Sequence, residues 1–117
     1  MTPTHTPTPL TPEQLQALSQ EVRQALTALY GDRLDRVILY GSYARGDFHA
    51  ESDVDYLVVL RDEAVKAGRE IGFMIDIVYD LSEKYDTLVA VKPTSLVRFL
   101  QSDLFFFQHV RREGVPI

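Results

Sequence analysis

The sequence predicts an α/β (α+β-like) domain in which helices pack on a short mixed sheet. The segment Val54–Leu60 is apolar on both faces beyond Asp55, which is typical of a strand covered by helices. A long amphipathic helix pattern precedes it, and helix and strand patterns alternate after it. At 117 residues the chain has the length of one domain. No internal repeat is present.

The first ten residues differ in composition from the rest. Thr and Pro alternate along them, so few backbone donors and almost no apolar side chains are present. We therefore predict a disordered tail over residues 1–10 and one folded domain over residues 11–117.

The first helix has a clear start signal. Thr11 is placed to cap the helix, Pro12 occupies its first turn, and Gln14 stands at the capping-box position. Apolar residues then recur at steps of three and four, which predicts a helix with one buried stripe. We expect it to run to about Tyr30 and to end at Gly31.

Three short apolar segments are predicted strands. The first is Arg36–Tyr40, and the second is Val54–Leu60. The third is Thr87–Val91, which we expect to end before Lys92 and Pro93 because proline disfavours continuation of a strand.

Two more helices are predicted. One covers residues 62–85, and a last one is capped by Thr94 or Ser95. Residues 71–78 hold more apolar side chains than one stripe can bury, and Phe105–Phe107 cannot all face one way. These side chains either complete a well-buried core or form a surface for a partner, and the sequence leaves both possibilities open.

Composition excludes several functional classes. The 17 acidic residues outnumber the 12 basic ones, giving a net charge of -5, so a direct nucleic-acid interface is not expected. There is no cysteine, and no apolar run approaches the roughly 20 residues of a membrane span. We expect a cytoplasmic protein that does not associate with membranes.

The segment after the first strand predicts a phosphate-binding turn. Gly41 and Ser42 stand where that strand gives way to a short helix, whose free backbone N–H groups suit phosphate. Gly41 lets a phosphate approach the backbone, and Ser42 and Arg45 add a hydroxyl donor and a positive charge. The spacing differs from that of a Walker loop.

The second strand predicts a metal site. Asp53 and Asp55 are two residues apart, so their side chains leave the same face of the strand. Two carboxylates on one face suit Mg²⁺, which bridges protein carboxylates to substrate phosphates. Such ions can align an attacking oxygen and a pyrophosphate leaving group.

Together these two halves form a recognisable pattern. Gly41 and Ser42, ten intervening residues and then Asp53-x-Asp55, in the fuller form GSYARG and SDVDYLVVL, resemble the minimal nucleotidyltransferases of the polymerase-beta superfamily. The resemblance extends from the first helix to the closing REGVPI. It implies the polymerase-beta nucleotidyltransferase fold.

Single-domain members of this kind are similar to antitoxins that are paired with a HEPN-domain ribonuclease toxin. The resemblance implies an Mg²⁺-dependent protein adenylyltransferase that moves AMP from ATP to a tyrosine of the toxin. It also implies that Asp53 and Asp55 are catalytic metal ligands, and that Gly41, Ser42 and Arg45 bind the nucleotide.

The chain departs from the superfamily pattern at one place. Relatives commonly carry a third carboxylate on a later strand, whereas the third predicted strand here contains no acid. Asp86 just precedes that strand and is the nearest candidate, while Asp76 and Asp80 fall on the preceding helix. Without a fixed base, the acceptor proton must leave by another route.

Three alternatives follow from these observations. The missing third carboxylate favours an inactive or weak antitoxin that neutralises its toxin by binding. The excess of apolar side chains in residues 71–78 and 105–107 favours the same interpretation. Transfer to a small molecule would need substrate-binding structure that this chain lacks, and transfer to an RNA end is disfavoured by the acidic balance.

Other polar residues are interpreted as structural. Tyr40 and Tyr43 are predicted to be packing residues, although modification of Tyr43 stays open. His49 is interpreted as a solvated loop residue, and the sequence places no constellation around His109.

Overall fold

A computed structural model describes residues 6–117 of the chain, with five α-helices, one short 3-10 helix (Gly31–Arg33) and four strands among them. In chain order the elements are α1 (Pro12–Tyr30), β1 (Leu34–Tyr40), α2 (Ser42–Arg45), β2 (Val54–Leu60), α3 (Ala67–Tyr85), β3 (Val89–Ser95), α4 (Leu96–Gln101), α5 (Phe105–Glu113) and β4 (Val115–Pro116).

The strands form one mixed sheet in the order β3-β2-β1-β4. β1 runs antiparallel to β2 and to β4, whereas β2 and β3 are parallel. The predicted short mixed sheet with helices packed on it is therefore confirmed.

Both faces of the sheet are covered. Tyr56, Val58 and Leu60 of β2 pack into one core cluster with side chains of α1 and α3. Leu57 and Val59 pack on the opposite face, against Phe99, Phe107 and Val110 of α4 and α5. This arrangement confirms β2 as a strand buried on both sides.

The predicted capping of α1 is also confirmed. The Thr11 hydroxyl accepts a hydrogen bond from the Gln14 N–H at 3.1 Å, and the Gln14 side chain accepts from the Thr11 N–H at 2.9 Å. The helix ends at Tyr30, as predicted, and Gly31 follows with φ +56°.

Three element starts differ from the sequence-based expectation. β3 begins at Val89, after the predicted Thr87. β1 begins at Leu34, before the predicted Arg36. α3 begins at Ala67, after the predicted residue 62, and Asp62 instead accepts two hydrogen bonds from the Arg33 guanidinium outside the helix.

β3 was predicted to stop at Val91, and this was wrong because the strand continues to Ser95. It is an edge strand, and the Val89 N–H donates to the Ser82 hydroxyl rather than to β2. Alternate residues of β3 therefore direct their backbone groups away from β2. Pro93 holds one of these outward positions, where a missing N–H removes no hydrogen bond from the sheet.

The predicted last helix is α4, and it is followed by a further helix, α5, and a strand, β4, that the sequence did not predict. Of the two candidate caps, Ser95 caps α4 by accepting from the Arg98 N–H at 3.1 Å. The Arg111 guanidinium of α5 donates to the carbonyl groups of Phe99 and Ser102, at 2.7 and 2.8 Å. These bonds satisfy the C-terminal end of α4 and fold α5 back on it.

The N-terminal segment is tied to the domain at its last residue. Residues 6–10 form neither helix nor strand, but Leu10 is buried and its N–H donates to the Tyr43 hydroxyl at 3.0 Å. Residues 1–5, half of the predicted tail, lie outside the described residues, so its disorder stays a prediction. None of the described helices combines the length and apolarity that a membrane crossing requires.

A buried carboxylate fastens α3 to the end of α1. Glu70 is only 4% exposed and accepts hydrogen bonds from the Tyr30 hydroxyl and from Arg33, each at 2.9 Å. Arg33 also donates to both oxygens of Asp62. The negative charge of Glu70 is thereby matched by a neighbouring cation, as a buried charge requires.

We predict that Arg33→Ala lowers the free energy of unfolding by about 2–3 kcal/mol, because it leaves the Glu70 carboxylate buried without its cation. Urea denaturation measures this loss. Arg61→Ala is the matched control, because Arg61 pairs with Asp35 at the surface and should cost less than about 1 kcal/mol. Equal losses in the two variants would contradict the account.

Candidate active site

The predicted site lies where β1 ends and β2 begins. The antiparallel register pairs Tyr40 with Asp55, so Gly41 comes to lie beside the Asp55 side chain. A Cβ atom on Gly41 would stand 2.5 Å from Asp55 Oδ2, and Gly41 has φ +78°. Both the space and the backbone conformation therefore require glycine.

The short helix α2 leaves polar groups available at its start. No side chain caps it, and the Gly41 carbonyl accepts from the N–H groups of Ala44 and Arg45, both at 3.1 Å. The N–H groups of Ser42 and Tyr43 have no partner within a helix by their position. The Ser42 hydroxyl forms no hydrogen bond to another described residue. These groups can donate to an anion.

The two predicted metal-binding carboxylates lie side by side on β2. Asp53 is exposed, Asp55 is half-buried, and Val54 between them points into the core. Burial raises the pKa of Asp55, the negative charge of Asp53 raises it further, and the nearby Arg45 guanidinium acts in the opposite direction.

This pair fits a divalent cation in a particular way. Across residues 6–117, no group of three or more His, Cys, Asp and Glu side chains is arranged to hold a metal ion. Two neighbouring carboxylates whose like charges oppose each other suit Mg²⁺, which takes its other oxygen ligands from water and substrate phosphates.

β3 carries no third carboxylate beside this pair. The residue that stands opposite Asp55 in the parallel register is Ala90. Asp86 follows the last turn of α3 with φ +51°, four residues before Ala90. Asp76 and Asp80 are on α3, which packs on the face of the sheet opposite to Asp55.

Arg45 lies close to the site but already has two acidic partners. Its Nε atom is 3.2 Å from Asp47 Oδ2, and its Nη1 atom is 3.8 Å from Glu113 Oε2. Both acids are partly exposed, so these pairs are weak and a phosphate can compete with them.

Helix α5 adds a wall that sequence reasoning missed. A cavity of about 270 Å³ is lined by Tyr40, Gly41 and Arg45 on one side and by Phe106, His109 and Glu113 of α5 on the other. The i,i+4 spacing of His109 and Glu113 is a sequence signal that could have placed both residues on one face of a helix. No local sequence pattern, however, indicates that this face lies beside Gly41. His109 Nδ1 is 3.7 Å from Glu113 Oε1 and 3.3 Å from Arg112 Nη2.

The remaining aromatic and histidine residues have structural environments. Tyr43 is buried, stacks on Phe48 at 4.4 Å and bonds Leu10, which confirms it as a packing residue. Burial and the charge of Asp55 raise the pKa of Tyr40 to about 12. His49 is exposed and accepts at Nδ1 from the Glu51 N–H, as suits a loop residue.

Comparisons with known proteins match this arrangement. Residues 19–109 match the model of a family described as the nucleotidyltransferase domain. A Methanocaldococcus jannaschii protein, provisionally named a protein adenylyltransferase, is 41% identical over 98 residues, which are 84% of this chain and 93% of that protein. A second protein of that organism with the same provisional name is 36% identical over 70 residues, 60% of this chain and 63% of that protein.

Solved structures share the fold at low sequence identity. A crystal structure of a toxin-antitoxin with AMP-PNP contains a chain with a TM-score of 0.55 and 19% identity, covering 92% of this chain and 72% of that one. A mutant of the toxin-antitoxin MntA-HpeT gives a TM-score of 0.53 at 16% identity, over 92% of this chain and 71% of that one.

We predict that Asp55→Asn raises the free energy of unfolding at pH 7, as measured by urea denaturation. A folded-state pKa above the unfolded value means that ionising Asp55 costs the folded state stability at neutral pH. The gain should therefore vanish below about pH 4, where the carboxyl group is protonated.

Asp76→Asn is the control for this prediction, because Asp76 is exposed on α3 and should change stability little. A loss of stability at neutral pH in Asp55→Asn would contradict the account.

Proposed function

This chain belongs to the nucleotidyltransferase domain family, and from that premise we propose that it transfers AMP from ATP to a tyrosine of a HEPN-domain toxin and acts as its antitoxin. The observation that carries the proposal is the contact between the Gly41 backbone and the half-buried Asp55 carboxylate. This contact supports the proposal because the turn to which we assign phosphate binding then lies directly beside the carboxylate pair.

In this proposal Asp53 and Asp55 hold Mg²⁺. When bound, this cation neutralises charge on the triphosphate and on the pyrophosphate leaving group. Asp55 is fixed by the pairing of β2 with β1 and β3, whereas the exposed Asp53 precedes the strand. The pair thus combines one rigid and one more adjustable carboxylate.

The turn after β1 binds the triphosphate. The Ser42 hydroxyl and the free N–H groups at the start of α2 donate to phosphate oxygens, and the absent side chain of Gly41 lets them approach. Arg45 exchanges its weak contacts with Asp47 and Glu113 for the stronger negative charge of the phosphates.

The absence of a carboxylate on β3 favours an acceptor hydroxyl that loses its proton readily. Because Ala90 stands where a third carboxylate would face Asp55, no side chain of β3 removes the acceptor proton there. A phenol, with a pKa of about 10, ionises far more readily than an aliphatic alcohol. A tyrosine therefore needs the least help to lose its proton to solvent while its oxygen attacks the α-phosphate.

The relatives are the reason for proposing ATP as the AMP donor and a toxin as the partner. Two relatives have provisional names that describe transfer of adenylyl groups to protein, and solved structures of this fold come from toxin-antitoxin pairs, one of them with AMP-PNP. An ATP-dependent reaction on such a toxin would take place in the cytoplasm.

A second candidate is an antitoxin that neutralises the toxin by binding alone. The absence of an acid at Ala90 favours it, as do the large apolar side chains exposed on α3, α4 and α5.

Intact-mass spectrometry of the toxin after incubation with this protein, ATP and Mg²⁺ tests the proposal. We expect mass increases in steps of one AMP, located on tyrosine by peptide mapping. The Asp53→Asn, Asp55→Asn double variant is the control and should leave the toxin mass unchanged, with a rate loss of at least about 10³-fold.

Omitting Mg²⁺ should likewise abolish the increase. An unmodified toxin that still forms a stable complex with the wild-type chain would reject catalysis and favour neutralisation by binding.

A further inference from the structure

The surface of α4 and α5 exposes large apolar side chains beside the site. Val97, Leu100 and Leu104 are 54, 52 and 54% exposed, and Phe105 is 74% exposed. We call these four residues the α4–α5 patch. Exposed apolar groups concentrated in nine consecutive residues are typical of an interaction surface.

The α4–α5 patch is continuous with the candidate active site. The Phe105 ring packs edge-on against the His109 imidazole at 4.5 Å, and His109 lines the cavity that Gly41 also lines. The neighbouring Phe106 meets the Tyr40 ring at 5.3 Å, and Tyr40 pairs with Asp55 across the sheet. A protein seated on the patch would therefore reach the carboxylate pair.

Charge distinguishes this region from the rest of the chain. Residues 92–113 contain four cations (Lys92, Arg98, Arg111 and Arg112) and two acids, Asp103 and Glu113, for a net charge of +2. Because the whole chain carries -5, the remaining residues carry -7. Residues 92–113, which include α4 and α5, are thus a basic region on an acidic protein.

Three cations around the patch, Lys92, Arg98 and Arg111, are not neutralised by an acidic side chain of the described residues. Lys92 and Arg98 lie over the rings of Phe106 and Phe107, at 4.2 and 5.5 Å, and neither pairs with an acid among residues 6–117. Arg111 donates to two neutral carbonyl groups. An acidic partner would supply the missing negative charge.

We propose that the α4–α5 patch is the surface on which the acceptor protein docks, and that the matching surface of that protein is apolar at its centre and acidic at its rim. This inference rests on the proposed function, in which a protein hydroxyl has to reach Asp53 and Asp55.

The other exposed apolar face is less suitable. Ile71, Ile75 and Tyr79 form an exposed stripe on α3, which packs on the face of the sheet opposite to Asp55. Asp76 and Asp80 flank this stripe. An acidic partner docked there would meet like charge and would hold its hydroxyl on the wrong side of the sheet.

Two matched variants test the docking surface. Phe105→Asp places a charge in the α4–α5 patch, and Tyr79→Asp places one on the α3 stripe at a side chain that is 64% exposed. Against the HEPN-domain toxin as the probe, we expect Phe105→Asp to weaken binding at least about tenfold and to slow AMP transfer at low toxin concentration. Tyr79→Asp should bind the toxin as wild type does.

Two further measurements separate docking from damage to the enzyme. Both variants should bind ATP with unchanged affinity, and Leu100→Asp should reproduce the loss of Phe105→Asp. Arg98→Glu should lower the association rate and weaken its dependence on salt.

Each contrary result has a distinct meaning. A Phe105→Asp variant that binds and modifies the toxin normally overturns the docking surface and leaves the proposed function standing. Loss of toxin binding in Tyr79→Asp alone moves the interface to α3. If Phe105→Asp only converts a wild-type dimer into monomers, the patch joins two copies of this chain. A wild-type chain that binds ATP but no toxin rejects both proposals.

Discussion

The close approach of Gly41 to the Asp55 carboxylate is the contact on which the site depends. It exists because β1 and β2 are antiparallel in a register that sets Tyr40 opposite Asp55, so the turn after β1 must pass beside that side chain. Any Cβ atom at Gly41 would collide with Asp55 Oδ2. The turn proposed to bind phosphate and the carboxylate pair are therefore one unit, built by two strands.

The surrounding fold supports this unit by burying the rest of β2, and it leaves the Gly41 turn and the carboxylate pair accessible. α1 and α3 bury one face of β2, and the contacts among Tyr30, Arg33 and Glu70 fasten these helices far from the site. At the edge of the sheet β4 pairs with β1, and the end of the preceding helix α5 lies beside Gly41. Because Asp55 is half-buried beside Asp53, its pKa is raised and its ionised form is destabilised. Binding of a cation would relieve this destabilisation.

Sequence reasoning succeeded where the signal was local. The capping box of α1 and the limits of β2 are each encoded within a few residues. It failed where contacts between segments that are distant in the sequence determine the structure. β3 passes through Pro93 only because that residue faces the open edge, and α5 folds back because Arg111 bonds carbonyl groups of α4. The approach of His109 to Gly41 depends on that fold-back, so no short pattern could reveal it.

The most direct test is a crystal structure of the protein with Mn²⁺ and a non-hydrolysable ATP analogue, with Mn²⁺ located by its anomalous scattering. We expect metal coordinated by both Asp53 and Asp55, with the β- and γ-phosphates against the backbone of Gly41 and Ser42. Metal bound elsewhere, or a nucleotide that leaves the turn after β1 empty, would show that these residues do not form the nucleotide site.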